Sequence, residues 1–358
     1  MDLDSKKIFK TLNPNKVWIP VLFGLGIVFY LFYSDPDLTV DKLRLIFDAR
    51  TTSVILAFAV LLARDIGYIY RIRTLTDKSL SWGSSIYVII LWEFASAVTP
   101  SVVGGTAVAA FILLKEGINL GKSLAYVMLT AILDNMFFVI AAPLVILFTQ
   151  GDIFPNIIGI ESRLGNSLQY IFIFSYTLIG IYTFIMAFAL FFRPRAFKWI
   201  LIRLTSIKFL RRWRYAAYEH GNEVIWASSQ LKGKGKTYWT KIIASTIFIW
   251  SARYIMLNCL ISAFTDVNLG EHMLIFSRQI VMWILMLASP TPGSSGTAEF
   301  FFTQFFNSFL GDYTFVTNIF WRMMSYYPYL ILGAIFLPRW IKRVFFKKKP
   351  KASDISQA

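Results

Sequence analysis

Thr291-Pro292-Gly293-Ser294-Ser295-Gly296-Thr297-Ala298-Glu299 interrupts an otherwise apolar region of the chain, and an earlier stretch, Thr99-Pro100-Ser101-Val102-Val103-Gly104-Gly105-Thr106-Ala107, reads almost the same way. Each has Thr-Pro, a short spacer and Gly-Thr-Ala, the later copy being one residue shorter. Proline has no N–H to donate and glycine tolerates unusual φ, so a helix entering either stretch breaks there. Broken backbone at membrane depth survives only against protein or water, because lipid cannot satisfy its polar groups. The half-helix that follows presents N–H groups at a positive dipole end, suited to a phosphate or carboxylate. The plainer reading is that such motifs let helices bend and pack closely.

Around these stretches, apolar segments lie at about 17–33, 51–63, 84–98, 101–114, 122–148, 168–192, 240–264, 273–289, 296–310 and 314–337. The 358 residues are 56% hydrophobic and 17% aromatic, with a mean hydropathy of +0.58. A soluble domain of this length cannot hide that much apolar surface, so lipid is the expected solvent for much of the chain. The start of the chain is polar and basic and lacks a small-residue cleavage site, so 17–33 reads as a retained helix. The lone Cys259 excludes a disulfide framework, and His220 and His272 form no zinc-enzyme pattern. No metal or cofactor is expected.

A net charge of +16 on a globular surface would point to nucleic acid. Here the bases cluster between apolar segments instead: Lys6, Lys7, Lys10 and Lys16 precede the first, Arg64, Arg71, Arg73 and Lys78 follow the second, and a dense set fills 193–237. They read as orientation signals and headgroup contacts, and nucleic acid is not an expected partner. The loop marked by Asp152 and Glu161 is poor in bases. The positive-inside rule then places the N-terminus, 193–237 and the C-terminus in the cytoplasm of a multi-pass protein of the cytoplasmic membrane.

That orientation requires an odd number of crossings between the basic loop at 64–82 and the external loop near 150–167. Segments 84–98, 101–114 and 122–148 satisfy it if the first two form a hairpin entered from the cytoplasm; the same count from 238 to the C-terminus makes 273–289 and 296–310 a hairpin entered from outside. Full crossings by all four arms would satisfy the parity equally well. The expected fold is therefore all-α and polytopic, with two inverted-repeat halves, each containing a broken or re-entrant helical hairpin. In this division 1–16 is a cytoplasmic segment and 17–341 a single transmembrane domain, split into halves 17–192 and 238–341 by an amphipathic connector at 193–237; a basic tail occupies 342–358. Phe197, Trp199, Ile200, Leu204, Ile207 and Trp213 among the connector's bases suit helices lying on an anionic leaflet.

Glu93, Asp134, Arg253, Arg278, Glu299 and Arg322 interrupt or abut apolar runs, where an unpaired charge is costly. Each is expected to face a partner or a wet cavity. Glu299 either caps its own helix or helps form a substrate site. Arg322, set between Trp321 and Tyr326-Tyr327, either holds an anionic headgroup or pairs with Glu299 or Asp134.

Thr99–Gly117 (TPSVVGGTAVAAFILLKEG), Ser289–Phe306 (SPTPGSSGTAEFFFTQFF) and Trp321-Arg322 with Tyr326-Tyr327 resemble the lysylphosphatidylglycerol synthase transmembrane region, a flippase-like family of bacterial and archaeal membrane proteins. The resemblance spans about 17–345. Where many relatives carry an acid after the paired glycines, this chain has Thr106, and no aminoacyl-transferase domain is expected after Lys351. The resemblance implies movement of a polar-headed lipid between leaflets by a transporter rather than an enzyme. The headgroup would be held by Thr99, Pro100, Gly104, Gly105, Thr106, Pro292, Gly293, Ser294, Ser295, Gly296, Glu299, Arg322, Tyr326 and Tyr327, with Glu93, Asp134, Arg253 and Arg278 as charge partners. Membrane lipids that are anionic or phosphate-bearing are the expected partners, and a homo-oligomer is compatible with this reading. A membrane-embedded transferase acting on a polyprenyl-phosphate or phospholipid is the competing expectation.

Overall fold

A computed structural model describes residues 44–99, 102–149, 153–155, 165–287, 289 and 291–345. The expected first span at 17–33, together with Pro100, Asp152, Glu161 and the tail beyond 345, lies outside these residues. All regular structure among the described residues is helical: α1 (Thr51–Leu75), α2 (Trp82–Val98), α3 (Val102–Lys115), α4 (Leu120–Phe148), α5 (Gly165–Ala187), α6 (Pro194–Leu204), α7 (Arg214–Leu231), α8 (Lys236–Ile261), α9 (Leu269–Met286), α10 (Thr297–Leu310), α11 (Thr314–Ser325) and α12 (Tyr327–Phe345). Among them α1, α4, α5 with its π-helical continuation to Phe192, and α8 are long and apolar enough to cross a membrane. This is a polytopic helical membrane protein.

Helices α1 and α8 pack antiparallel along their whole length. At one end the Arg50 amide donates to the Ala263 carbonyl (2.8 Å); at the other the Tyr238 hydroxyl donates to the Leu75 carbonyl (3.3 Å). Midway, a Cβ on Gly67 would lie only 2.9 Å from Ile249, so glycine is what lets the two backbones close up.

Around this pair stand two helical hairpins facing opposite ways. Helix α2 leaves the Leu75 end and α3 returns to it, where Trp340 Nε1 of α12 donates to Glu116 (2.7 Å) and Arg343 pairs with the same carboxylate. Helix α9 starts at the other end, behind an N-terminal cap in which Asn268 and Glu271 each accept the other's backbone N–H. Helix α10 returns there, just before Tyr313, whose hydroxyl donates to Asp48 ahead of α1 (3.4 Å).

The hairpin tips meet. The Tyr326 hydroxyl donates to the Ala97 carbonyl at the end of α2 (3.2 Å), and its ring covers Gly293 in the other tip. Tyr326 itself divides the last helical stretch, 12 residues of α11 from the 19 of α12. At about 1.5 Å of rise per residue, the tips turn roughly 18 Å from one end and 28 Å from the other.

Two expectations need correction. The segment at 51–63 is not followed by a loop at 64–82: α1 runs on to Leu75, and Arg64 and Arg71 are buried within it. Their charge is absorbed by partners inside the protein, so they mark no boundary. The segment at 314–337 is not one helix: in a continuous helix Pro328 would have no N–H for the Met324 carbonyl and its ring would clash with it, so the chain breaks at Tyr326 (φ −130°, ψ −60°) and Pro328 falls in the first turn of α12, where the missing N–H is tolerated.

In the connector, α7 packs against α4 and α6. Lys198 of α6 donates to Asn222 of α7 (2.7 Å) and sits 3.8 Å from the centroid of the Tyr218 ring. Trp199, Ile200 and Leu204 of α6 stay exposed beside its arginines, an apolar stripe left open by the described residues.

Candidate functional site

The break between α9 and α10 is held by its own hydroxyls and by one buried ion pair. Gly293 sits at φ +57° and Ser294 at φ +53°, and Gly296 at φ +84° opens α10. The Thr291 hydroxyl donates to the Ser295 carbonyl (2.8 Å), while the Ser289 hydroxyl lies 3.0 Å from that of Thr291 and 2.9 Å from that of Thr297. Arg322 Nε lies 2.7 Å from Glu299 Oε1, and Arg322 Nη2 donates to the Gly293 carbonyl (3.3 Å) and the Ser295 hydroxyl (3.2 Å). The other Glu299 oxygen accepts the Gly296 N–H (2.5 Å), so the carboxylate occupies the anion position at the head of its own helix. Of the two roles weighed for Glu299, capping is observed, and Arg322 pairs with Glu299 rather than Asp134.

The first break is simpler. Thr99 ends α2 in extended geometry, its hydroxyl donating to the Ala95 carbonyl (2.7 Å). A Cβ on Gly105 would overlap the Ser96 hydroxyl, which accounts for the small residue where α3 passes α2.

Both breaks line one cavity of about 800 Å³. Thr99 and Thr106 face it from one break, and Thr291, Gly293 and Ser294 from the other. Phe174, Leu178 and Tyr182 of α5 line it as well and are half or more exposed, so the cavity reaches the outer surface along α5. A second cavity of about 210 Å³ adjoins it. Glu93, Arg253, Gly293 and Ser294 line both.

The charged side chains on the large cavity form two pairs. Arg71 of α1 makes a two-pronged pair with Asp134 of α4 and also donates to Thr246 (3.1 Å), while Trp250 Nε1 donates to the same carboxylate (3.0 Å). Arg253 of α8 faces Glu93 of α2 more loosely, at 3.9 Å. Arg278 takes no part: it donates to the Phe305 carbonyl (2.8 Å) and the Ser308 hydroxyl (3.0 Å), tying α9 to the last turn of α10. A cation there complements the negative end of the helix.

Thus Thr99, Thr106, Gly293 and Ser294 open onto the large cavity, with Glu93, Asp134 and Arg253. Arg322 and Tyr326 line only the small one, while Gly105, Ser295, Gly296, Glu299 and the half-buried Tyr327 line neither. The side chain of Pro292 and the surroundings of Gly104 lie outside the description, as does Pro100 altogether.

Arg71 and the cluster of Arg64, Asp65 and Tyr329 were not singled out from the sequence. Arg64 is fully buried, paired with Asp65 (2.7 Å) and with the Tyr329 hydroxyl, which donates in turn to Asp65 (2.8 Å). Arg64, Tyr68 and Arg71 stand four and three residues apart, the spacing of one helix face, and that periodicity was the available signal. Among the described residues, no three His, Cys, Asp or Glu side chains converge as a metal site would require.

Residues 17–333 match the family described as the lysylphosphatidylglycerol synthase TM region. The chain belongs to that family. This membrane domain is associated with lipid handling. The chain is also similar to a UPF0104 membrane protein of Archaeoglobus fulgidus, 25% identical over 344 residues that cover 88% of this chain and 94% of the relative. Membership accounts for the helical, multi-pass architecture, and the extent of the match takes in both helix breaks and the Trp321-Arg322 motif.

Proposed function

We propose that this family member moves a phosphate-bearing lipid between leaflets, as a flippase-like transporter of the cell membrane with its basic end in the cytoplasm. The observation that carries the reading is the shared cavity: both helix breaks, two ion pairs and the outward-reaching wall of α5 bound the same space. A polar headgroup needs a wet, hydrogen-bonding path through hydrocarbon, and Thr99, Thr106, Thr291 and Ser294 line one. Acyl chains can stay outside, against the exposed rings of α5.

On this reading the two hairpins are re-entrant arms of an inverted repeat. Supporting it, α3 and α10 have 14 residues each, about 21 Å of helix against a hydrocarbon core of about 30 Å. The hairpins run in opposite directions and turn back at a common level beside Tyr326. Arg253 is the proposed phosphate ligand, since its present partner is the more loosely held of the two. Arg322 and Glu299 shape the break without touching the headgroup.

The test is purified full-length protein in liposomes carrying a fluorescent phospholipid, with leaflet exchange followed by dithionite quenching across a panel of headgroups. Wild type accelerates exchange of at least one phosphate-bearing lipid, and Arg253→Ala abolishes the acceleration while keeping the wild-type melting temperature. No acceleration with any headgroup defeats the proposal. A chemically altered headgroup recovered after incubation would favour a transferase instead.

A further inference from the structure

The large cavity is electrically balanced, and that balance constrains how it takes an anion. Its described charged lining consists of Arg71 and Arg253 against Glu93 and Asp134, two of each sign. A phosphate monoester or diester entering this space adds at least one uncompensated negative charge. In surroundings of low dielectric such a charge costs several kcal/mol, and one carboxylate must therefore be neutralised or expelled.

The structure distinguishes the two candidate carboxylates. Asp134 is held by two guanidinium nitrogens and an indole N–H, so releasing it breaks three bonds. Among the described residues, Glu93 has a single ion-pair contact, the 3.9 Å approach of Arg253, and no hydrogen bond to its carboxylate. Glu93 also stands on the partition between the two cavities. The smaller one has room for roughly seven waters at about 30 Å³ each, and Tyr329, on its wall, donates to the part-exposed Asp65. Water filling that cavity would connect Glu93 to Tyr329 and, through its hydroxyl, to Asp65.

We infer that Glu93 takes up one proton for each phosphate-bearing headgroup that binds Arg253, so that lipid movement is coupled to proton movement. The inference rests on the lipid-transport reading and names its coupling ion. Phosphate displaces the Glu93 carboxylate from the guanidinium, a proton delivered by water protonates a carboxylate oxygen, and the cavity keeps its net charge. Release of the headgroup reverses both steps.

The titratable and charged groups facing Glu93 come from every helix packed around it. Arg253 and Tyr254 face it from α8, Arg322 and Tyr326 from α11 and the break after it, and Tyr329 from α12. Arg64, Tyr68 and Arg71 face it from α1. Within α3 the one titratable side chain is Lys115 at its far end, and the second break contributes none. A phosphate on Arg253 takes away the cation paired with Glu93, which ties proton uptake to binding.

The experiment is calorimetric titration of full-length protein in detergent with dihexanoyl phosphatidylglycerol, and separately with inorganic phosphate, in buffers of different ionisation enthalpy. For wild type, one proton is taken up per lipid, and apparent affinity falls about tenfold per unit rise in pH above neutrality. Glu93→Gln binds with an affinity independent of pH and takes up no proton. Lipid binding by wild type without proton uptake, or undiminished uptake by Glu93→Gln, overturns the coupling and leaves lipid movement standing. Uptake driven by inorganic phosphate but not by the lipid assigns the site to a free anion and overturns both. Should Glu93→Gln not fold, the buffer comparison on wild type still decides.

Discussion

Arg322 and Glu299 form a 2.7 Å ion pair with both side chains almost wholly buried, and the same arginine also holds the carbonyl of Gly293. Removing one member of such a pair strands the other charge, at a cost of about 3–5 kcal/mol. Arg322→Ala is therefore expected to lower the melting temperature in detergent sharply. Arg322→Met with Glu299→Gln should recover much of the loss, because no charge is then left unpaired. Equal destabilisation of the single and double variants would show that the pair is not the source.

Gly293 combines a left-handed φ with close cover by the Tyr326 ring. Gly293→Ala carries about 1–2 kcal/mol of backbone strain in addition to the steric overlap. Combining it with Tyr326→Ala removes only the overlap, so thermal denaturation of the two single variants and the pair should show partial, incomplete compensation.

Two tyrosine hydroxyls invite comparison. That of Tyr326 bonds only uncharged groups, the Ala97 carbonyl and the Ser295 side chain, and its loss in Tyr326→Phe should cost about 0.5–1.5 kcal/mol. That of Tyr329 joins the fully buried Arg64 to Asp65, so Tyr329→Phe leaves a buried charged group short of a partner and should cost more, about 1.5–3 kcal/mol. Chemical denaturation of both variants gives the order, and a larger effect at Tyr326 would contradict it.

His220 on α7 is bonded to Glu223 (2.9 Å), and that bond raises its pKa above the ordinary 6.5. A raised value means that the folded protein binds the proton more tightly. The stabilisation is present in full below about 6.5 and is lost as pH rises through the higher folded value. NMR titration of His220 should show a midpoint above 6.5 in wild type that falls back in Glu223→Gln; an unchanged midpoint would contradict the assignment.

How much of this was legible beforehand follows from the range of each signal. Thr99-Pro100 and Thr291-Pro292-Gly293 break helices through local backbone chemistry, and both breaks occur where the residues place them. The extent of α1 was misread because Arg64 and Arg71 look like a loop when only chain neighbours are considered. Their partners, Tyr329 and Asp134, lie 265 and 63 residues away, and nothing in hydropathy links such positions. Pro328 gave fair warning of the division after α11 but stood inside a strongly apolar run. The shared cavity is a property of packing alone, which no single segment encodes.

The carboxylate of Glu299 serves as a built-in counterion for the start of α10, and the consequence is thermodynamic. A pocket that borrowed a guest's phosphate to finish its own walls would sit slack when vacant, and each arrival would forfeit free energy to the stiffening of chain. With the brace supplied internally, vacant and loaded forms share one scaffold. Under the proposed lipid transport, a passing lipid would then be gripped lightly and let go fast, which a carrier needs more than tight retention.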